Sequence, residues 1–162
     1  MISVAFILKF IVAAVGAGTP LLFGTVGEIM SEKVGHLNLG VEGMMAIGAV
    51  AGFAAGYATG NLAAAMAAAF LAGMLAALIY AVLTVGFMAN QNVIGLTLTI
   101  FGVGLSNFIG VYMIGKTDSN TWQLPAELIA QMKNVTIPVL SDIPVLGKLL
   151  FNYDPFTYVG IV

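Results

Sequence analysis

Residues 43–115 read GMMAIGAVAGFAAGYATGNLAAAMAAAFLAGMLAALIYAVLTVGFMANQNVIGLTLTIFGVGLSNFIGVYMIG, a run of 73 residues without a single Asp, Glu, Lys, Arg or His. A water-soluble domain has no means of solvating such a stretch. A hydrocarbon layer about 30 Å thick is crossed by about 20 helical residues, so the run corresponds to about three transmembrane helices. A β-barrel would show segments of about ten residues of alternating polarity, and none is present. Gly60-Asn61 and Ala89-Asn90-Gln91-Asn92 are the polar breaks, which place spans at about 39–59, 62–88 and 93–115. Connections this short make neighbouring helices antiparallel and the bundle tight.

Upstream, Ile2 to Met30 is apolar apart from Lys9 and Glu28, which predicts a further span over about 4–30. Gly16, Gly18, Thr19 and Pro20 lie in its middle, and a proline there removes a backbone hydrogen bond, so a kink or break is expected near Pro20. A cleaved leader is disfavoured, because the amino end lacks a basic cluster and further spans follow. Downstream the character changes. Four of the seven acids lie between Lys116 and Asp154, with Lys116, Lys133 and Lys148 among them, so 116–152 is expected to lie outside the membrane. Within it Pro125 to Lys133 reads as a short surface helix, with Pro at the first turn, Glu127 early and Lys133 late. Trp122 and Tyr112 suit a membrane interface. Residues 153–162 read as the start of a fifth span.

The whole composition agrees with this fold class: all-α, integral membrane, a polytopic helix bundle of about four spans plus the start of a fifth, forming a single transmembrane domain. Of 162 residues 60% are hydrophobic and 7% charged, against about 25% charged in soluble domains. A net charge of −2 with no Arg excludes nucleic acid as a partner. With no Cys there is neither a disulfide framework nor a thiolate metal site, and His36 alone makes no metal cluster. The second span carries Gly48, Gly52, Gly56 and Gly60 at every fourth residue, a strip on which another helix can pack backbone to backbone. The third span offers a partner surface in Ala63 to Ala69, Gly73, Ala76 and Ala77, and intrachain packing is the simpler use of the strip, self-association the alternative.

Three motifs bear on function. Gly110-Val-Tyr-Met-Ile-Gly115-Lys116-Thr117 satisfies the phosphate-loop pattern by letter, but it forms the bulky end of a membrane helix, with no preceding strand and no following helix. Asn134-Val135-Thr136 has the spacing of a glycosylation acceptor and matters only in a secretory lumen. Asn38 and Glu42, four residues apart, share a face if the helix begins by Leu37. Glu42 reads either as part of a solute pathway or gate, or as a helix-start acid satisfied by free amides and the helix dipole. Gln91, Asn92, Thr97, Thr99 and Asn107, with Asn90 and Ser106, give the fourth span a polar edge suited to a pathway or to interhelical hydrogen bonds. One His, no Cys and no paired acids leave no nucleophile with its base, so the chain is not expected to be an enzyme.

The stretch from Gly18 to Ala49, with Gly27-Glu28-Ile29-Met30, Gly35-His36-Leu37-Asn38 and Val41-Glu42-Gly43-Met44-Met45, resembles the permease subunits of bacterial ABC importers in the branched-chain amino acid, ribose and simple-sugar group. Ala89 to Gly104 and Ile137 to Gly147 resemble the sugar and nucleoside branch of that group. The resemblance implies a bacterial inner-membrane subunit forming the pathway for a nucleoside or simple sugar. It also implies a second permease subunit, ATPase subunits that bind ATP and Mg, and an external substrate-binding lipoprotein as partners, with no cofactor in this chain. Segment 116–152 would face outward and the Asn90 turn inward. The stretch from Glu28 to Asn38 would be a break at membrane depth. Members of the family are longer and carry their ATPase-docking segment in the second half, so the sequence matches the amino-terminal part of a longer permease. The alternatives are a remnant that does not couple to ATP and an ATP-independent transporter or channel formed by self-association.

Overall fold

The computed structural model describes residues 4–117, 121–132, 135–136 and 152–161. Four long helices account for most of them: α1 over Val4–Lys33, α2 over Val41–Thr59, α3 over Leu62–Ala81 and α4 over Gln91–Gly115. All four are long and apolar enough to cross a membrane. The fold is therefore an all-α, multi-pass transmembrane bundle. Short helices α5 (Ala126–Gln131) and α6 (Pro155–Ile161) follow, with a two-residue antiparallel ladder in which Val135 pairs with Tyr153 and Thr136 with Asn152.

The chain divides into two compact units, residues 1–26 with 132–162, and residues 27–131. In the first unit Asp154 caps α6: its Oδ1 accepts from the amides of Phe156 and Thr157, and its Oδ2 from the Thr157 hydroxyl at 2.6 Å. Thr157 is fully buried and its hydroxyl meets that of Thr19, 3.3 Å away. Helix α1 runs through Pro20 without interruption, contrary to the break expected there. A single proline removes one helical bond and leaves the bonds on either side in place. The Thr19 hydroxyl adds a bond to the Val15 carbonyl at 3.1 Å.

In the second unit α2 is the middle helix, packed on α3 along one side and α4 along another. Glycine makes both contacts possible. A methyl group on Gly52 would lie 2.8 Å from Cβ of Ala69 and 3.0 Å from the Ala65 carbonyl, and one on Gly48 would lie 3.1 Å from the Ala69 carbonyl. Gly56 faces Ala65, Leu124 and Leu128. The strip at Gly48, Gly52 and Gly56 is thus covered by α3 of the same chain and, at Gly56, by Leu124 and by Leu128 of α5. Gly60 departs from the expected strip: it is the C-cap of α2 at φ +63°, its amide donating to the Gly56 carbonyl, and a methyl group added there would meet nothing within 4 Å. A left-handed terminal residue is where a helix needs glycine, so the fourth member of the strip ends the helix and packs on nothing.

The α2–α4 crossing is tighter still. A methyl on Gly102 would lie 2.7 Å from Cα of Gly43, one on Gly43 2.6 Å from Cα of Thr99, and one on Gly95 2.9 Å from the Leu39 amide nitrogen. Beside this crossing Met44, Ala76, Tyr80 and Leu98 form the buried cluster, flanked by Ile47 and Ile94. Asn61 and Asn90 cap α3 and α4 through their side-chain oxygens. Helix α3 ends in a π turn over Val82–Gly86, followed by Met88 at φ +53°.

The expected helix from Pro125 to Lys133 is shorter, Ala126–Gln131, and Lys133 lies outside the described residues, as do Asn134 of the acceptor motif and 137–151 of the expected outward segment. Trp122 packs edge-on against Phe53, with ring centres 4.5 Å apart, and against Tyr57.

Candidate functional site

Helix α1 ends in a backward-folded turn. The amides of Val34 and His36 donate to the Ser31 carbonyl, that of Gly35 to Glu32, and Gly35 takes φ +85°, which only glycine adopts without strain. Residues 34–40 then run without helix to the start of α2 at Val41. Irregular backbone in a membrane protein must find its hydrogen bonds within the protein or a water-filled cavity. Here four side chains from three helices supply them.

Glu28 of α1 accepts the Asn38 amide on Oε1 at 2.7 Å. Tyr80 of α3 donates its hydroxyl to the Leu37 carbonyl at 2.8 Å. Gln91 at the start of α4 accepts the Leu37 amide at 2.8 Å and reaches the Gly35 carbonyl at 3.5 Å with its amide nitrogen. Thr99, two turns further on, donates to the Leu39 carbonyl at 2.6 Å. Asn38 completes the turn from within: its side-chain oxygen accepts the buried Gly40 amide at 3.0 Å and its nitrogen lies 3.6 Å from the Met44 sulfur. Glu28 Oε2 and His36 Nδ1 are buried without a hydrogen-bond partner among the described residues.

The residues singled out from sequence separate on this framework. Asn38 is buried in the turn, Gln91 and Thr99 hold it, and each of the three directs a side-chain oxygen at main chain. Asn38 and Glu42 do not share a helical face, because the helix begins at Val41 and not by Leu37. Glu42 is exposed in the first turn of α2, where a free helix end favours an acid. Thr97 returns its hydroxyl to the Val93 carbonyl at 2.7 Å and borders a shallow apolar dent with Ile79, Leu83, Ile94, Leu98 and Phe101. Asn92 lines an open polar dent with Ala89, Asn90 and Gln91. Asn107 is exposed. Of the polar residues of α4, Gln91 and Thr99 thus face the turn and Thr97 its own helix.

Glu28 and Tyr80 are the members of this site that the sequence reading did not select. Tyr80 is the one hydroxyl-bearing residue of α3, in a helix otherwise built of Ala, Leu, Met, Ile, Gly and Phe, and that isolation was the available signal. The phosphate-loop letters fall where a phosphate has no access to amides: Gly110 to Gly115 are helical, and Lys116 sits 4.5 Å over the Tyr112 ring. Among the described residues no three of His, Asp, Glu or Cys come together. The arrangement holds backbone.

Residues 10–146 match the family described as branched-chain amino acid transport system / permease component. The chain belongs to this permease family. Its members are permease components, a transport and not a catalytic class. The permease chain is similar to the putative glucose ABC transporter permease protein TsgC13 of Haloferax volcanii, 31% identical over 150 residues, which cover 93% of this chain and 44% of that protein. It is 33% identical over 139 residues to the guanosine ABC transporter permease protein NupQ of Bacillus subtilis, covering 82% of this chain and 42% of that one. It is 31% identical over 142 residues to the nucleoside ABC transporter permease protein NupC of Lactococcus lactis, covering 83% and 42%. The permease chain thus spans less than half the length of the curated relatives it matches. No solved structure matches it.

Proposed function

We propose that this chain is part of the membrane-spanning permease subunit of an ATP-driven ABC importer and contributes to the pathway for a nucleoside or simple sugar. The observation that carries the reading is the similarity, over 82–93% of the chain, to permeases named for glucose, guanosine and nucleosides. In this reading the partners are a second permease subunit, ABC ATPase subunits that bind ATP and Mg, and an external substrate-binding lipoprotein. The membrane is a bacterial plasma membrane, with the Asn90 turn on the inner side. The chain itself needs no cofactor. The held break at 34–40 fits a pathway-forming subunit, since transporters place non-helical backbone beside their central cavities.

The reading is tested by co-expressing the chain with the neighbouring permease, ATPase and lipoprotein genes and reconstituting the product in liposomes. ATP-dependent uptake of labelled guanosine or glucose is expected. Failure of the chain to co-purify with an ATPase in mild detergent, or ATP-independent leakage of both solutes, would overturn it. Glu42→Gln should leave uptake near the parent value, because Glu42 sits exposed at a helix start; a collapse of uptake in an intact complex would instead put Glu42 on the path.

A further inference from the structure

Phe108, Tyr112 and Lys116 form a column along the last turns of α4. Each is four residues from the next, which places them one above another on a single helix face. The Phe108 and Tyr112 rings are nearly parallel, at 11°, with centres 6.4 Å apart, and the Lys116 ammonium sits 4.5 Å over the Tyr112 ring. A flexible lysine is thereby kept close to one position, because the negative face of the ring attracts the cation. The column is open. Phe108 is 69% and Tyr112 53% exposed, and Lys116 is exposed as well, so little of the described chain covers it.

Two observations put the column at a membrane surface. From Gln91 to Tyr112 the helix rises about 30 Å at 1.5 Å per residue, the thickness of a hydrocarbon layer. With the polar start of α4 at one surface, Phe108 lies among acyl chains, Tyr112 at the far boundary and Lys116 one turn beyond it. The second observation comes from α2. Gly40 meets Gly95 and Gly43 meets Gly102, so α2 and α4 run in the same direction, and Tyr57, with Trp122 packed on it, stands at the same end as Tyr112. Tyr and Trp collect at the level of lipid headgroups.

Outside the protein, that level is occupied by lipid phosphate. The end of α4 repels an anion, since its last carbonyls carry the negative end of the helix dipole, and Gly110 to Gly115 are helical and offer no loop of free amides. Attraction to phosphate at this place therefore rests on Lys116. A choline or ethanolamine headgroup brings its own cation to compete with the lysine, whereas a phosphatidylglycerol phosphate has none. We propose that Phe108, Tyr112 and Lys116 form a binding site for one anionic phospholipid, with its phosphodiester on the Lys116 ammonium and the upper part of an acyl chain along the two rings.

Trp122 is the sole tryptophan, so Trp122→Phe combined with Tyr112→Trp leaves one indole in the column and keeps an aromatic ring beneath Lys116. The full chain with these changes is placed in nanodiscs of phosphatidylcholine and phosphatidylglycerol, with one or the other lipid brominated on its acyl chains. Quenching of the fluorescence gives the relative binding of the two lipids at position 112. Phosphatidylglycerol should be favoured about fivefold, the size of one lysine's effect at an anionic membrane surface. Lys116→Gln should bring the ratio to one or below, and Lys116→Arg should preserve it. Lys33→Gln should leave it unchanged, because Lys33 precedes α2 and lies at the opposite end of these helices. A ratio of one with Lys116 in place overturns the proposal, and so do equal losses from Lys116→Gln and Lys33→Gln, which would mark diffuse surface charge. Quenching by neither lipid when the chain is co-expressed with its neighbouring genes would show that protein covers the column, and would overturn it too. The ratio is read without transport, so its outcome is independent of the proposed function.

Discussion

Replacing Gly102 with Ala should disrupt the α2–α4 pair, at a cost of about 3 kcal/mol, the upper end of ordinary overpacking. The added methyl would meet Cα of Gly43 at 2.7 Å, and the atoms it meets are backbone, which has no rotamer to change. The helices must separate, and their separation draws Met44 and Leu98 apart in the cluster beside them. Two residues along the same helix Gly104 has nothing within 4 Å of a built Cβ. Gly104→Ala should therefore be neutral, or stabilising by about 0.5 kcal/mol through the lower backbone entropy of alanine in the unfolded chain. The pair is compared by the fraction of monodisperse protein surviving a heating series in detergent. Equal survival of the two variants would show that the crossing is not a close contact. Gly43→Ala should behave as Gly102→Ala does, and the double variant should lose less than the sum, since both methyls act on one contact.

Asn38→Ala should lower stability by about 2 kcal/mol, in the range found when a buried donor loses its acceptor. The Gly40 amide is buried and its partner is the Asn38 side-chain oxygen; without it the turn into α2 has a buried orphan donor. The contact with the Met44 sulfur goes as well. The expected pattern is a lowered thermal midpoint with normal uptake per assembled complex. A normal midpoint with uptake abolished would be the signature of a solute contact at Asn38. Asn107→Ala serves as the comparison, because the Asn107 side chain is exposed.

The helices were legible because their signal is coarse. A run without charges, cut by Gly60-Asn61 and by Ala89 to Asn92, admits few other readings, and the polar breaks became the N-caps Asn61 and Asn90. The α3 side of α2 was legible as well, since glycines at every fourth residue mark one face of one helix. The α4 side was not. Its glycines are shared between two helices, Gly40 and Gly43 on one and Gly95 and Gly102 on the other, and the seven-residue step from Gly95 to Gly102, two turns on one face, becomes meaningful only beside its partner. The held turn was hidden for a different reason. Its bonds run from side chains to main chain, and a sequence does not say which backbone groups go without a helical partner. Asn38, Gln91 and Thr99 stood out as polar residues in apolar surroundings, which located the site but suggested that they point at a pathway. Gly35 at φ +85° is what directs the chain so that they point at backbone instead.

At its closest approaches helix α2 meets α3 and α4 through glycine, and this sets how the unit comes apart. Contacts between interlocked side chains can loosen gradually, since long residues follow a receding partner by changing rotamer. Glycine against backbone has no such slack: dispersion falls away so steeply that a gap of 0.5–1 Å forfeits roughly a quarter to a half of the attraction. A small widening at Gly43 or Gly52 therefore forfeits a large part of that contact at once, and the two sides of α2 are joined through one rigid rod. The three helices hold or part together, a brittle joint set among lipids that are themselves fluid.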